Sequence, residues 1–108
     1  MTDKHILDQL YTVVAARKGA DPETSYTARL FAKGTAKIAQ KVGEEGVETV
    51  IAALAETPEK VASESADLLY HLTVLWADQG VKPEDVWNIL AERQGISGIA
   101  EKASRTDK

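Results

Sequence analysis

The sequence predicts an all-α protein, because its apolar residues follow a helical spacing along nearly the whole chain. They recur at intervals of three and four, which places them on one side of an α-helix. No segment shows the alternation of apolar and polar residues that indicates a β-strand. Glycine and proline fall between the periodic segments and divide them into five helices. We expect an antiparallel bundle with short connections.

The first two predicted helices span roughly residues 3–17 and 25–33. The apolar positions of the first helix are Ile6, Leu7, Leu10, Val13 and Val14. A loop containing Gly19 and Pro22 separates the two helices, since both residue types interrupt helical structure. Gly34 follows the second helix and can end it, because glycine readily adopts the left-handed conformation found after helix C-termini.

The third and fourth predicted helices, roughly 35–56 and 58–78, are the longest. Between them, Thr57 supplies a capping hydroxyl, Pro58 suits the first position of a helix, and Glu59 suits its positive end. The apolar stripe of the third helix consists of Val47, Val50, Ile51 and Leu54. These two helices are expected to pack against each other because the turn between them is short.

A last helix is predicted from Pro83 to about residue 93, after Gly80 has closed the fourth helix and before Gly95. We therefore expect a helical domain over residues 1–95. Residues 96–108 are expected to form a polar C-terminal tail of the same domain, since they show only a weak helical pattern.

The fourth helix predicts an oligomer, because apolar residues cover most of its circumference: Val61, Leu68, Leu69, Leu72, Val74, Leu75 and Trp76, with Tyr70. A helix that is apolar on most sides is buried on most sides. Five helices in one short chain offer little material to surround it. We expect a homodimer or higher homo-oligomer whose shared core includes residues such as Leu72, Leu75 or Trp76.

Composition excludes several functional classes. A chain of 108 residues forms one domain, and its net charge of −4 argues against non-specific nucleic-acid binding. The chain has no cysteine, which excludes a disulfide framework and a thiolate metal site. The N-terminal residues lack the layout of a secretory signal, and the longest weakly polar run, 68–77, is too short to span a bilayer. We expect a cytoplasmic protein without a membrane partner.

Five carboxylates form the most informative pattern in the chain. At about 100° per residue, Glu44, Glu45 and Glu48 fall on one face of the third helix. Glu64 and Asp67 share a face of the fourth helix. Two acidic groups on adjacent antiparallel helices can converge on one ion, and clustered oxygen ligands suit Mg²⁺, or Mn²⁺. The pattern predicts a divalent cation site, and with it phosphate chemistry.

Lysines precede the acids on the same stripe of the third helix. Lys37 and Lys41 lie there, and Lys33 extends the basic end, so these side chains can hold phosphate oxygens beside a metal. The other interpretation is a solvated surface with ordinary i,i+4 ion pairs, worth about 0.2–0.5 kcal/mol each. His71, one turn beyond Asp67, is expected to be a satisfied core residue rather than a ligand.

The residues resemble a known family. Residues 43–48 (GEEGVE), followed after fifteen residues by 64–67 (ESAD), resemble the EExxE…ExxD signature of the all-α NTP pyrophosphohydrolases, the MazG-like fold. Within that superfamily, 25–31 (SYTARLF), 37–45 (KIAQKVGEE) and 97–105 (SGIAEKASR) resemble the phosphoribosyl-ATP pyrophosphohydrolase family, the second enzyme of histidine biosynthesis. The departures are small: Arg29 stands where lysine is common, and Gly46 and Ser65 where alanine is common.

The resemblance implies Mg²⁺-dependent hydrolysis of 1-(5-phosphoribosyl)-ATP to 1-(5-phosphoribosyl)-AMP and pyrophosphate. It implies that Glu45 or Glu48 orients or deprotonates the attacking water. The implied metal ligands are Glu44, Glu45, Glu48, Glu64 and Asp67. The implied phosphate-binding residues are Arg29, Lys33, Lys37, Lys41, Lys102 and Arg105. Two alternatives stay open: a house-cleaning pyrophosphohydrolase acting on dNTPs, and a non-catalytic helical oligomerisation module.

Overall fold

The computed structural model describes residues 5–94, which form five α-helices without a strand in that range. The helices are α1 (Ile6–Ala16), α2 (Tyr26–Lys33), α3 (Thr35–Ala55), α4 (Pro58–Gln79) and α5 (Pro83–Gln94). The predicted all-α class is confirmed, and each predicted helix is present with its ends shifted slightly. His5 and Ser25 precede their helices as N-caps instead of belonging to them. The predicted tail, 96–108, lies outside the described residues.

The helix boundaries follow from the local chemistry of the chain. Thr57 Oγ1 accepts a hydrogen bond from the Lys60 backbone N–H at 3.2 Å, as expected of a capping threonine before Pro58. Gly80 ends α4 in the left-handed conformation, with φ of 74°. Gly34 has φ of 97° and separates α2 from α3. A side chain at that φ would be strained, so the chain changes direction there at a glycine.

The hairpin of α3 and α4 is the centre of the fold, and these helices make the most extensive contact in the described chain. Thr35, the first residue of α3, is hydrogen-bonded to Asp78 near the end of α4, so the two helices run antiparallel. α1 packs against α4, α2 against α3 and α4, and α5 against α1. The buried core is formed by Val14, Leu30, Ile38, Val74 and Ala77.

An exposed apolar stripe lies on α3, whereas the sequence suggested that α4 needs a partner chain to cover it. The apolar stripe of α3 does not face the core: Val47, Val50, Ile51 and Leu54 are 59%, 56%, 49% and 83% exposed. The helix packs instead through Ile38, Glu45 and Ala52. Much of α4 is covered within the chain, since α1 packs on it and Trp76 lies edge-on to Trp87 of α5 at 6.0 Å. Leu72, Leu75 and Trp76 are half-buried without a second copy.

Between residues 5 and 94, no helix combines the length and the hydrophobicity that crossing a membrane requires.

Candidate metal and phosphate site

Three glutamates converge on the face between α3 and α4. Carboxylate oxygens of Glu45, Glu48 and Glu64 lie within 4.8 Å of one another. Glu45 and Glu48 are one turn apart on α3, and the antiparallel neighbour supplies Glu64. Three negative charges at this distance repel one another, so the group is favourable only with positive charge nearby. This is a donor set for a divalent cation with oxygen preference.

Two oxygens of this group are buried without a hydrogen-bond partner, Oε1 of Glu45 and Oε1 of Glu64. The other oxygens of the same carboxylates face lysines, with Lys41 Nζ at 3.9 Å from Glu45 Oε2 and Lys60 Nζ at 3.9 Å from Glu64 Oε2. An unpaired buried oxygen is unfavourable, and an ionised one more so. A divalent cation would give both oxygens a partner, so the residues present fit such an ion.

The pKa of Glu64 shows that the three carboxylates repel one another. Burial raises the pKa of the Glu64 carboxyl above its ordinary value, and the negative charge of Glu48 adds to the rise. Lys60 opposes it. Asp67, an exposed residue one turn further along α4, raises the same pKa through its charge. Asp67 thus acts on the site electrostatically, although it is not one of the three converging carboxylates.

Glu44 lies beside the three-glutamate group and is engaged with its own helix. Its carboxylate accepts a hydrogen bond from Gln40 Nε2 at 2.7 Å and lies 3.3 Å from Lys41 Nζ. The hydrogen bond from Gln40, followed by that from Lys41, lowers the pKa of Glu44 below its ordinary value. Of the five acids that the sequence indicates, the structure therefore brings together Glu45, Glu48 and Glu64.

The candidate phosphate-binding residues lie on two helices. On α3, Lys41 contacts both Glu44 and Glu45, and the hydrogen bond with Glu44 raises the pKa of Lys41. Lys37 also lowers the pKa of Glu44, which puts its charge beside the acids. On α2, Arg29 Nε donates to the Pro22 carbonyl at 3.3 Å, and Lys33 is the last helical residue. Lys102 and Arg105 lie outside the described residues.

Lys60 is a member of the site that sequence reasoning missed. It precedes Glu64 by four residues on α4, a spacing that brings two side chains together on a helix, and this signal could have found it. His71 behaves as expected of a core histidine: it is 6% exposed, and each ring nitrogen lies within hydrogen-bond distance of a partner.

Comparison with known proteins shows the family of this chain. Residues 7–94 match the family described as phosphoribosyl-ATP pyrophosphohydrolase. A phosphoribosyl-ATP pyrophosphatase of Azospirillum brasilense is 69% identical over 100 residues, which cover 93% of this chain and 90% of the relative. Proteins of the same name from Paramagnetospirillum magneticum and Rhodospirillum rubrum are 63% and 62% identical, covering 98% and 93% of this chain and 97% and 86% of the relatives. The chain therefore belongs to the phosphoribosyl-ATP pyrophosphohydrolase family.

Proposed function

We propose that this protein hydrolyses 1-(5-phosphoribosyl)-ATP to 1-(5-phosphoribosyl)-AMP and pyrophosphate, the second step of L-histidine biosynthesis. The observation that carries the proposal is the convergence of Glu45, Glu48 and Glu64, two of which hold a buried, unpartnered oxygen. Lysines flank this group, as a polyphosphate site requires. The close relatives bear the name of this activity. We infer that the protein acts in the cytoplasm, because its proposed substrate is made from ATP.

We propose Mg²⁺ as the cofactor, with Mn²⁺ as an alternative, because both prefer oxygen ligands. Glu45, Glu48 and Glu64 would hold the ion. Asp67, whose charge acts on Glu64, and Glu44, the sequence neighbour of Glu45, would complete the site. When bound, the ion would neutralise charge on the diphosphate oxygens of the substrate.

The residues around the acids suggest separate tasks. Glu48 is exposed, so its carboxylate can reach solvent and orient or deprotonate a water molecule, whereas Glu45 is 7% exposed. We therefore favour Glu48 as proton acceptor and keep Glu45 as the second candidate. Lys37 and Lys41 would offset phosphate charge beside the acids. Binding of the phosphoribosyl arm falls to the remaining basic residues, Arg29, Lys33, Lys102 and Arg105.

We also propose that the enzyme is a homodimer formed through the exposed stripe of α3. Small and large residues on this side of α3 would face each other in such a dimer. Two antiparallel α3 helices related by a two-fold axis between Val47 and Val50 would place Gly43 of one chain opposite Leu54 of the other. A side chain at Gly43 would meet nothing within 4 Å in the single chain, which leaves room for such a partner. The same axis places Gly46 opposite Ile51.

The proposed activity is tested by the release of pyrophosphate from purified protein with Mg²⁺. We expect phosphoribosyl-ATP to react far faster than ATP or dNTPs. Glu48→Gln should reduce turnover by about 10²-fold or more, because the amide cannot accept a proton. Glu92→Gln, an exposed acid on α5, is the matched control and should retain activity. Equal or better turnover of dNTPs would reassign the protein to the house-cleaning enzymes, and no turnover of any nucleotide would favour the non-catalytic module.

A further inference from the structure

Three aromatic rings meet between α2 and α4, one turn of α4 beyond Asp67. Tyr26 belongs to α2, and Tyr70 and His71 belong to α4. The His71 ring lies edge-on to both tyrosines, with centroids 6.1 Å from Tyr26 and 5.0 Å from Tyr70, and the two tyrosine rings stack at 6.3 Å. His71 is buried, so its polar atoms need protein partners. The proposed chemistry uses none of these three residues.

The hydrogen bonds of His71 have a definite direction. Nδ1 lies 2.8 Å from the backbone carbonyl oxygen of Asp67, and a carbonyl can only accept, so Nδ1 carries the hydrogen. In the neutral ring, Nε2 is then an acceptor, and the hydroxyl of Tyr26 at 3.1 Å donates to it. Two consecutive hydrogen bonds therefore link Tyr26 through His71 to the backbone carbonyl of Asp67.

These hydrogen bonds help to fix the position of α2, because α2 is short and makes only limited contact with α4. Two hydrogen bonds link α2 to α4, one between Tyr26 and His71 and one between Thr27 and Tyr70. Arg29 follows Tyr26 by three residues, so both lie on the same side of α2. A shift of α2 along α4 would move the basic residues of α2 relative to the carboxylates.

We propose that Tyr26 and His71 are positioning residues that hold α2 in register with the acidic site and so set the affinity for phosphoribosyl-ATP. The inference rests on the proposed function, because it assigns Arg29 and Lys33 to the substrate. Neither Tyr26 nor His71 touches the reacting phosphates in this role. Loss of their hydrogen bond weakens substrate binding and leaves the chemical step intact, which appears as a change in KM with kcat preserved.

Tyr26→Phe is the direct test, because it removes the hydroxyl and keeps the stacked ring. Tyr26 is 46% exposed, so the variant should fold. We expect KM for phosphoribosyl-ATP to rise by about 3- to 10-fold, the range that one lost hydrogen bond produces, with kcat within about two-fold. The affinity for Mg²⁺, measured as the shift in melting temperature, should not change. Tyr11→Phe, on α1, is the matched control and should leave both constants unchanged.

Variants at His71 distinguish its two hydrogen bonds. His71→Gln can still accept from Tyr26 and should keep KM near the unmodified value. His71→Asn can still donate to the Asp67 carbonyl but not reach Tyr26, and should raise KM as Tyr26→Phe does. The KM of the double variant Tyr26→Phe/His71→Asn should not exceed the higher KM of the two single variants, because both substitutions remove the same hydrogen bond.

Each outcome decides one proposal. If the unmodified protein does not hydrolyse phosphoribosyl-ATP, the proposed function fails and the positioning role fails with it. If it does, an unchanged KM in Tyr26→Phe overturns the positioning role alone. A loss confined to kcat, a weakened response to Mg²⁺, or additive effects in the double variant would also overturn it.

Discussion

At the scale of single residues, Glu64 shows what the proposed metal site costs in stability. Its carboxylate has one buried oxygen without a partner, and burial together with the charge of Glu48 raises its pKa. A group whose pKa is raised on folding makes the folded state less stable once it ionises. This penalty is absent below the ordinary pKa of a glutamate and grows as the pH rises through the pKa of folded Glu64. Above the folded-state pKa of Glu64, the metal-free protein carries the full penalty.

Glu64→Gln should therefore raise the melting temperature of the metal-free protein at pH 7, because it removes a carboxyl group that is close to the charge of Glu48 and has an unpartnered buried oxygen. The same change should abolish most of the increase in melting temperature that Mg²⁺ causes in the unmodified protein. Both effects are measured by thermal melting with and without Mg²⁺, with Glu92→Gln as control. A Glu64→Gln protein with an unaltered Mg²⁺ response would contradict the role of Glu64 as a ligand.

At the scale of elements, a hydrogen bond joins α3 and α4 at the open end of their hairpin. Thr35 Oγ1 donates to Asp78 Oδ2 at 2.7 Å, and this bond is the main cause of the lowered pKa of Asp78. Gln79 Nε2 donates to the same oxygen and lowers the pKa further. A carboxyl whose pKa is lowered on folding stabilises the fold above its ordinary pKa. The contribution is lost as the pH falls through the lower, folded-state pKa.

Thr35→Val should lower the free energy of unfolding by about 0.5–1.5 kcal/mol at pH 7, because it removes the donor and keeps the shape of the side chain. The difference from the unmodified protein should shrink as acid protonates Asp78 below its ordinary pKa. Denaturant unfolding at neutral and acid pH measures this. Thr12→Val, on α1, is the control, since Thr12 donates to the Asp8 backbone carbonyl. A loss of stability that does not depend on pH would show that the bond to Asp78 is not its cause.

At the scale of the whole molecule, the exposed stripe of α3 is the surface through which we propose that two chains assemble. Four large apolar residues share one face of this helix, and that face adjoins Glu44 and Glu48. A contiguous apolar face of this kind is typical of an interaction surface. Pairing of two α3 helices would bury it and would bring the acidic sites of the two chains close to the shared interface.

Leu54→Glu should convert the proposed dimer into a monomer, because it places a charge on the apolar face. Sedimentation equilibrium at micromolar concentration measures the change. Val13→Glu is the matched control: Val13 is 52% exposed on α1, and its substitution should not alter the mass of the assembly. If the unmodified protein sediments with the mass of one chain, the dimer proposal is wrong.

Local chemistry made much of this protein readable from its sequence. The five helices, the Thr57 cap before Pro58 and the glycine at the end of α4 depend on neighbouring residues only, and all were predicted. The pairing of Glu45 with Glu48 follows from helical spacing, which the sequence states directly. The family resemblance rested on the same short strings and was confirmed.

The packing of the helices against one another determined features that the spacing of residues in the sequence does not encode. Adjacent residues on a helix differ by about 100° in direction, so the position of α4 determines that Glu45, and not Glu44, converges with Glu64. Equally, the apolar stripe of α3 has a helical period whether it faces the core or the solvent, and only the placement of the other helices leaves it exposed. The bond between Tyr26 and His71 joins residues 45 positions apart, and no local pattern encodes such a contact.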